Sequence, residues 1–404
     1  MCGIAGFIES GAPEQRASVL RRMVETLRHR GPDDEGHHVD ALAALGTRRL
    51  SVIDLQNGRQ PMAGERDGVW VVQNGEIYNF RTLRARLEGL GHRFRTDSDT
   101  EVIARAYEQY GDACVSHLEG MFAFGVWDEA QQTLLLARDR VGEKPLYYYA
   151  SPTAFVFGSE LRALLEHPAV PRELDLRSLS RYLAYEYVPA PSSILAGVAK
   201  LPPGHLLTVR LGDKPRVVRY WDLSMAPDEG PSEREWVERL RAQLEDSVRR
   251  QLVSDVPVGL FLSGGMDSGA IVATAARLLG KRLRTFSVGF DEPTYDERRF
   301  ARSVAARWNT EHEETVFSSR TALDLMGDVG RLLDEPLVDG SFLPTYVLSR
   351  MARRSVTVTL SGDGGDELFC GYPTFLAERG VRYAGWLPRW LRDAATSRAN
   401  LRSS

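Results

Sequence analysis

The sequence predicts an α+β layered domain followed by an α/β domain built on a parallel sheet. Three observations predict this. The first two hundred residues hold many short apolar strand candidates with few helices between them. Residues 221–231 then break the pattern with Pro227, Gly230 and Pro231. Beyond the break, strand and helix candidates alternate, and two Gly-rich loops each follow a strand directly.

In the first half, residues 69–72 (Val-Trp-Val-Val) read as a strand, and Asn74-Gly75 after them predicts a turn. Residues 80–90 place Leu83, Leu87 and Leu90 at helical spacing and close on Gly91. Residues 121–127 and 134–137 read as two strands paired around a polar turn. After the break, Ser232 and Glu235 form a capping box that opens a helix. Residues 256–262 read as a buried strand with Pro257 near its start. A helix over 267–279 follows, with Ile271, Val272, Ala275, Leu278 and Leu279 on one face. Residues 284–290 complete a βαβ unit, expected to be parallel and right-handed. Residues 356–360 form another short strand, and the chain beyond Asp393 reads as frayed.

Composition narrows the class without choosing a function. Among 404 residues, 43% are hydrophobic and 26% charged, as in an ordinary soluble globular enzyme or binding protein. The formal charge of −4 is too balanced to call for nucleic acid or a membrane surface. Cys2, Cys114 and Cys370 are too few and too scattered for a disulfide framework or zinc site, so a cytoplasmic setting is expected. There is no signal-like N-terminus and no apolar run long enough to cross a bilayer.

Removal of Met1 would leave Cys2 with its thiol and α-amine on one residue. An α-amine of pKa near ~8 can act as a base at neutral pH. A small buried cysteine in an apolar strand would carry the same sequence. Asn74-Gly75-Glu76 could supply two oxyanion donors, an amide side chain and a Gly N–H, next to an acid able to hold an ammonium group. Read alone, it is a plain turn.

Taken with other segments these residues carry a resemblance. Residues 2–6 (CGIAG), 29–33 (HRGPD), 49–54 (RLSVID), 74–79 (NGEIYN) and 98–101 (SDTE) resemble the class II glutamine amidotransferases. So do residues 120–124 (GMFAF) and 137–140 (ARDR). These are N-terminal-nucleophile glutaminases with an αββα sandwich, here expected over residues 2–215. The resemblance implies Cys2 as nucleophile with its own amine as base, and Asn74 with the Gly75 N–H as oxyanion hole. It implies Arg49 on the glutamine carboxylate, Glu76 and Asp99 on its ammonium, and the Val52 backbone lining the pocket. Taken singly, Arg49 and Asp99 read as a surface ion pair. Thr47 stands where the family more usually has histidine.

The second half carries Leu262-Ser263-Gly264-Gly265-Met266-Asp267-Ser268 between a strand and a helix, read either as an anion cradle of backbone N–H groups or as a helix N-cap preceded by flexible glycine. It lacks the lysine of a Walker A loop, and an Asp within a phosphate loop suits a magnesium ion between the two. It resembles the pyrophosphate loop of the ATP-pyrophosphatases. Ser361-Gly362-Asp363-Gly364-Gly365-Asp366-Glu367 follows the next strand, and the pairing resembles the asparagine synthetases, here over residues 232–404. That resemblance implies ATP contacts at Leu262, Ser263, Gly264, Gly265, Asp267, Ser268, Val288, Ser361 and Gly362. It also implies Mg2+ ligands at Asp267 and Asp366, and help from Asp363 in acyl-adenylate formation. Asp363 stands where some members carry Glu. Asp334-Glu335-Pro336 and Tyr295-Asp296-Glu297 also fit the family, without assigned chemistry.

Family members continue past the second loop into a segment with a further lysine and much of the acceptor pocket, so this half is expected to be incomplete. Cys370 replaces a small residue, and Trp386, Leu387, Trp390 and Leu391 are expected to lack cover. Either a separate C-terminal chain supplies the remainder or the synthetase half is crippled; a homodimer is the other partner expected. The implied substrates are glutamine, ATP and aspartate or another carboxylate. Alternatives are a glutaminase without ligase activity, or an amidotransferase acting on a carboxylated sugar or cell-envelope precursor. Sugar-phosphate and purine-precursor amidotransferases share the first half, but residues 263–268 have no place in their acceptor domains.

Overall fold

The computed structural model describes residues 1–280, 282–376 and 388. Trp386, Leu387, Trp390, Leu391 and the tail beyond Asp393 lie outside the described residues.

The first half builds two six-stranded sheets. One runs, in spatial order, Val198–Lys200, Tyr147–Ala150, Ala154–Gly158, Gly3–Glu9, Ala43–Arg49 and Asp34–Val39. The other runs Arg216–Arg219, His205–Val209, Thr133–Arg138, Gly120–Asp128, Val69–Ile77 and Met62–Ala63. All their pairings are antiparallel.

Strand alternation stacks these sheets. Ile4 and Ile8 meet Leu45, Val72 and Trp127 between the sheets. Ala5 and Phe7 point the other way, onto Val19, Leu20 and Met23 of helix Pro13–Glu25. On the far side, Val71, Phe122 and Phe124 pack on Leu83 and Leu87 of helix Phe80–Gly89 and on Val102 and Ile103 of helix Asp99–Tyr110. The layers are therefore helix, sheet, sheet, helix, as expected. Each buried Val, Leu, Ile, Phe or Met among these contributes roughly 1.5–3 kcal/mol.

Asn74-Gly75 corrects one expectation, because no turn forms there. The strand Val69–Ile77 runs on, with Asn74 opposite Ala123 and Gly75 opposite Phe122. Gly75 has φ +144°, and a Cβ there would lie 1.9 Å from the Met121 carbonyl oxygen. Glycine at this position serves the close approach of a neighbouring strand. Leu90 also departs from its expected place: it caps the helix end and is 53% exposed, while Leu83 and Leu87 are buried.

The capping box of Ser232 and Glu235 is formed and opens helix Glu233–Gln251. A four-stranded parallel sheet follows, in the order Glu311–Phe317, Arg284–Phe290, Val258–Phe261 and Val358–Leu360. Helix Met266–Leu279 connects two of these strands and buries Val272 and Ala275, with Ile271 and Leu278 beside them. Leu279 is 37% exposed, since it is the last residue before the left-handed Gly280 cap. Val258–Phe261 and Val358–Leu360 are direct parallel neighbours, so the loops after them emerge side by side. Among the described residues no helix is long and apolar enough to cross a membrane.

Candidate active sites

Cys2 immediately precedes the strand Gly3–Glu9, on the inter-sheet side that Ile4 and Ile8 define. On the facing sheet, Asn74 and Glu76 share their side with Val72 of the same inter-sheet core. Gly3 pairs with Arg48, so Arg49 at the end of the neighbouring strand lies beside Cys2, and the Glu76 carboxylate adds to the pressure that raises the Cys2 thiol. Burial pushes that thiol up, opposed by the positive terminal amine, and its Sγ lies 3.7 Å from the Leu50 carbonyl oxygen. A thiol kept protonated by burial needs a base beside it.

The terminal amine fits that need. With Met1 attached, burial lowers the amine to about 6, helped by the charges of Arg30 and Lys144. Burial thus favours the neutral, proton-accepting form of the Met1 amine. Excision of Met1 would move the amine onto Cys2 itself.

Four residues without an expected role hold the corner around Cys2. Arg30 donates from Nε to the Cys2 carbonyl oxygen at 3.0 Å and from Nη1 to Glu160 Oε1 at 2.8 Å. His29 Nε2 lies 3.0 Å from the same carboxylate oxygen. Lys144 is buried, which lowers its pKa, and its Nζ lies 3.3 Å from the Met1 sulfur. His29 and Arg30 belong to the HRGPD motif and so were legible in the sequence, whereas Lys144 and Glu160 carry no local signal.

Asn74 is fully buried, and among the described residues neither its amide oxygen nor its nitrogen has a partner. Leaving such a group unpaired costs about 1–3 kcal/mol. A preorganised donor with nothing yet to bind is what an oxyanion hole requires. Thr47 is likewise buried with an unpartnered hydroxyl.

The acids nearby are desolvated. Burial, then the charge of Asp99, holds the Glu76 carboxyl well above the usual carboxylate range. Burial also raises Asp99, although its Oδ2 accepts from the Ile77 N–H at 2.9 Å and Gln73 Nε2 at 3.1 Å. Two crowded acids of this kind favour a cation between them. Arg49 is buried and donates from Nη2 to the carbonyl oxygens of Ile53 and Asp54, each at 2.8 Å. The surface-ion-pair alternative does not apply, since both Arg49 and Asp99 are buried. The Val52 carbonyl oxygen already accepts from the Asp255 N–H at 2.9 Å.

In the second half, residues 263–265 cross from strand to helix. Gly264 has φ +94°, and a Cβ there would lie 2.8 Å from Phe300 Cβ. The Ser263 and Ser268 hydroxyls are 3.0 Å apart, and the Ser263 N–H donates to Ser268 Oγ at 3.2 Å. No side chain caps the helix at Gly265, which leaves first-turn N–H groups for an anion.

The two Gly-rich loops touch. A Cβ on Gly362 would lie 2.9 Å from Ser268 N, and one on Gly365 2.6 Å from the Asp267 carboxylate. The Asp366 carboxylate lies against Gly371, and Asp363 Oδ2 accepts from the Ser361 hydroxyl at 2.8 Å. Leu262 is buried at the head of the first loop, while Val288 packs beside the cluster of Phe286, Leu348 and Met351. An open cleft of about 620 Å³ adjoins the second loop, lined by Leu337, Ser341, Tyr346, Gly362, Asp363 and Asp366. Asp267 and Asp366 offer hard oxygen donors from abutting loops, and glycine at 365 keeps space beside the first of them. That donor set fits magnesium.

The glutamine amidotransferase domain family matches residues 1–221, and the asparagine synthase family matches residues 239–404. The chain is 38% identical over 375 residues to asparagine synthetase (glutamine-hydrolysing) 1 of Bacillus subtilis, covering 92% of this chain and 59% of that one. It is 36% identical over 400 residues to asparagine synthetase 3 of the same organism, covering 93% and 64%. It is also 36% identical over 417 residues to a Methanocaldococcus jannaschii protein provisionally named asparagine synthetase 2, covering 97% and 79%. The chain thus spans less than two thirds of the length of the two Bacillus relatives. With both family matches in order and two halves folded as described, this chain belongs to the glutamine-hydrolysing asparagine synthetase family.

Proposed function

We propose that this chain hydrolyses glutamine at Cys2 and passes the ammonia to a carboxylate, most simply aspartate, activated by ATP. The observation that carries the reading is the buried Asn74 amide, unpartnered among the described residues, which shares its strand face with the desolvated Glu76 and looks across the inter-sheet space toward Cys2.

Cys2 Sγ attacks the substrate amide carbon, and the Cys2 amine takes the thiol proton. The oxyanion is received by the Asn74 side chain and the Gly75 N–H. The amine then protonates the leaving nitrogen, ammonia departs, and water hydrolyses the thioester to glutamate. Arg49 pairs with the substrate carboxylate; Glu76 and Asp99 hold its ammonium.

In the second half the acceptor carboxylate displaces pyrophosphate from ATP, and ammonia converts the acyl-adenylate to an amide and AMP. Residues 262–268 cradle the phosphates, with Val288, Ser361 and Gly362 completing the nucleotide contacts and Asp363 facing the reacting carboxylate. Asp267 and Asp366 would hold magnesium, which supplies positive charge at the phosphates. Glutamate and pyrophosphate are measured together, with aspartate, other carboxylates or none present. The reading expects pyrophosphate release that requires both ATP and a carboxylate. Glutamate release with no carboxylate-dependent pyrophosphate would replace it with a glutaminase.

A further inference from the structure

Two carboxylates of the ATP-side half reach into the framework of the glutamine site. Asp255 lies between helix Glu233–Gln251 and the strand Val258–Phe261, which leads straight into the 262–268 loop. Its N–H donates to the Val52 carbonyl oxygen at 2.9 Å, and its carboxylate accepts from the Asp54 N–H at 2.8 Å. The segment it grips is the one whose Ile53 and Asp54 carbonyl oxygens hold Arg49. Asp54 also accepts, through Oδ2, the Asp97 N–H at 2.8 Å, two residues ahead of Asp99. The carboxylate-binding arm and the ammonium-binding arm thus hang on a single loop, and Asp255 braces that loop from the other half.

Asp334 does the corresponding thing on the nucleophile side. The short helix Leu161–Leu164 begins at Glu160, whose side chain makes no cap hydrogen bond. The Asp334 carboxylate supplies the cap instead, accepting the Leu161 N–H and, at 3.1 Å, the Arg162 N–H. Arg162 Nε lies between Asp334 at 3.2 Å and Glu160 at 3.0 Å. Relieved of capping, Glu160 holds Arg30, and Arg30 holds the Cys2 carbonyl oxygen. Next door, Glu335 accepts the Ile194 N–H at 2.8 Å. Beyond it, Leu337 and Asp339 line the ATP-side cleft.

We propose that Asp255 and Asp334 are positioning residues of the glutamine site, Asp255 setting the substrate-binding side and Asp334 the nucleophile. This rests on the reading of Cys2 as nucleophile. It assigns the ATP-side half a direct hold on glutamine chemistry, through segments that run into its own loop and cleft.

The test is steady-state glutaminase kinetics of the whole chain with Asp255→Ala, Asp334→Ala and the matching Asn variants. Asp255→Ala is expected to raise the glutamine KM about tenfold with kcat within about twofold. Asp334→Ala is expected to lower kcat about tenfold with KM within about twofold. Asp255→Asn, which keeps one acceptor, restores most of the affinity. Asp334→Asn restores less, because one amide oxygen cannot replace two carboxylate oxygens shared by three donors. If an Ala variant fails to fold, the Asn variants carry the same split at smaller size. Unchanged kinetics in both, or an equal loss of kcat and KM quality in both, overturns the assignment. Wild-type chain that releases no glutamate would instead sink the reading of Cys2, and this proposal with it.

Discussion

Asn74→Ala separates stability from catalysis in opposite directions. The native amide is 0% exposed and both of its polar atoms are unpartnered among the described residues. Carrying those groups unpaired costs about 1–3 kcal/mol, and alanine removes them. Some packing is lost with the amide, so the net expectation runs from neutral to about 2 kcal/mol more stable. That corresponds to an unfolding midpoint unchanged or raised by roughly 2–4 °C per kcal/mol. Catalysis moves the other way. Losing one oxyanion donor raises the barrier by about 2.7–4 kcal/mol, or roughly 10²–10³ in kcat. KM should barely move, since the donor acts on the tetrahedral oxyanion rather than on bound glutamine. Glutamate release at saturating glutamine and a thermal melt of the same sample measure both. A kcat within about threefold of wild type, or a loss of more than about 1 kcal/mol in stability, would refute the oxyanion-hole reasoning.

Cys2→Ala should abolish glutamine use and spare ammonia-dependent amide formation; loss of both would contradict separable sites. Asp267→Asn should weaken magnesium-dependent ATP turnover by at least about tenfold while glutamate release continues. Unchanged turnover removes Asp267 from the metal site. Because burial raises Glu76 and Asp99, they take up protons at a higher pH than ordinary carboxylates, and the substrate ammonium needs them ionised. The glutamine KM should therefore climb, as pH falls, well before the ordinary carboxylate value of about 4.3. A KM flat down to that pH would show that these acids do not hold the substrate.

What the sequence revealed was chiefly local chemistry. The Ser232–Glu235 capping box, the strand Arg284–Phe290 and the helix Met266–Leu279 depend on neighbours a few residues away, and each formed as expected. Asn74-Gly75 misled because its glycine answers to the Met121 carbonyl of another strand, which no local turn signal records. Leu90 and Leu279 kept helical spacing, but each stands at a helix end, where the face meets solvent. The motif residues of the glutamine pocket were legible, whereas the residues that hold them were not. Glu160 bonds Arg30 across 130 positions, and Asp255 bonds Asp54 across 201, separations at which spacing carries no information. Asp334 and Glu335 were visible as a motif, yet only the fold shows that they cap and brace the other half.

The most direct measurement is the mass of the N-terminal peptide after reaction with a diazoketone analogue of glutamine. The chain has three free thiols to choose from, and Cys2 is the one at the start of the strand Gly3–Glu9, on the inter-sheet side that Asn74 and Glu76 face. Cys114 is buried and its thiol pushed up to about 12, while Cys370 is exposed and follows helix Gly365–Phe369 of the second half. The account predicts a single adduct on Cys2, on chains that have lost Met1, suppressed by excess glutamine. An adduct on Cys370, or equal labelling of chains that still carry Met1, would contradict it.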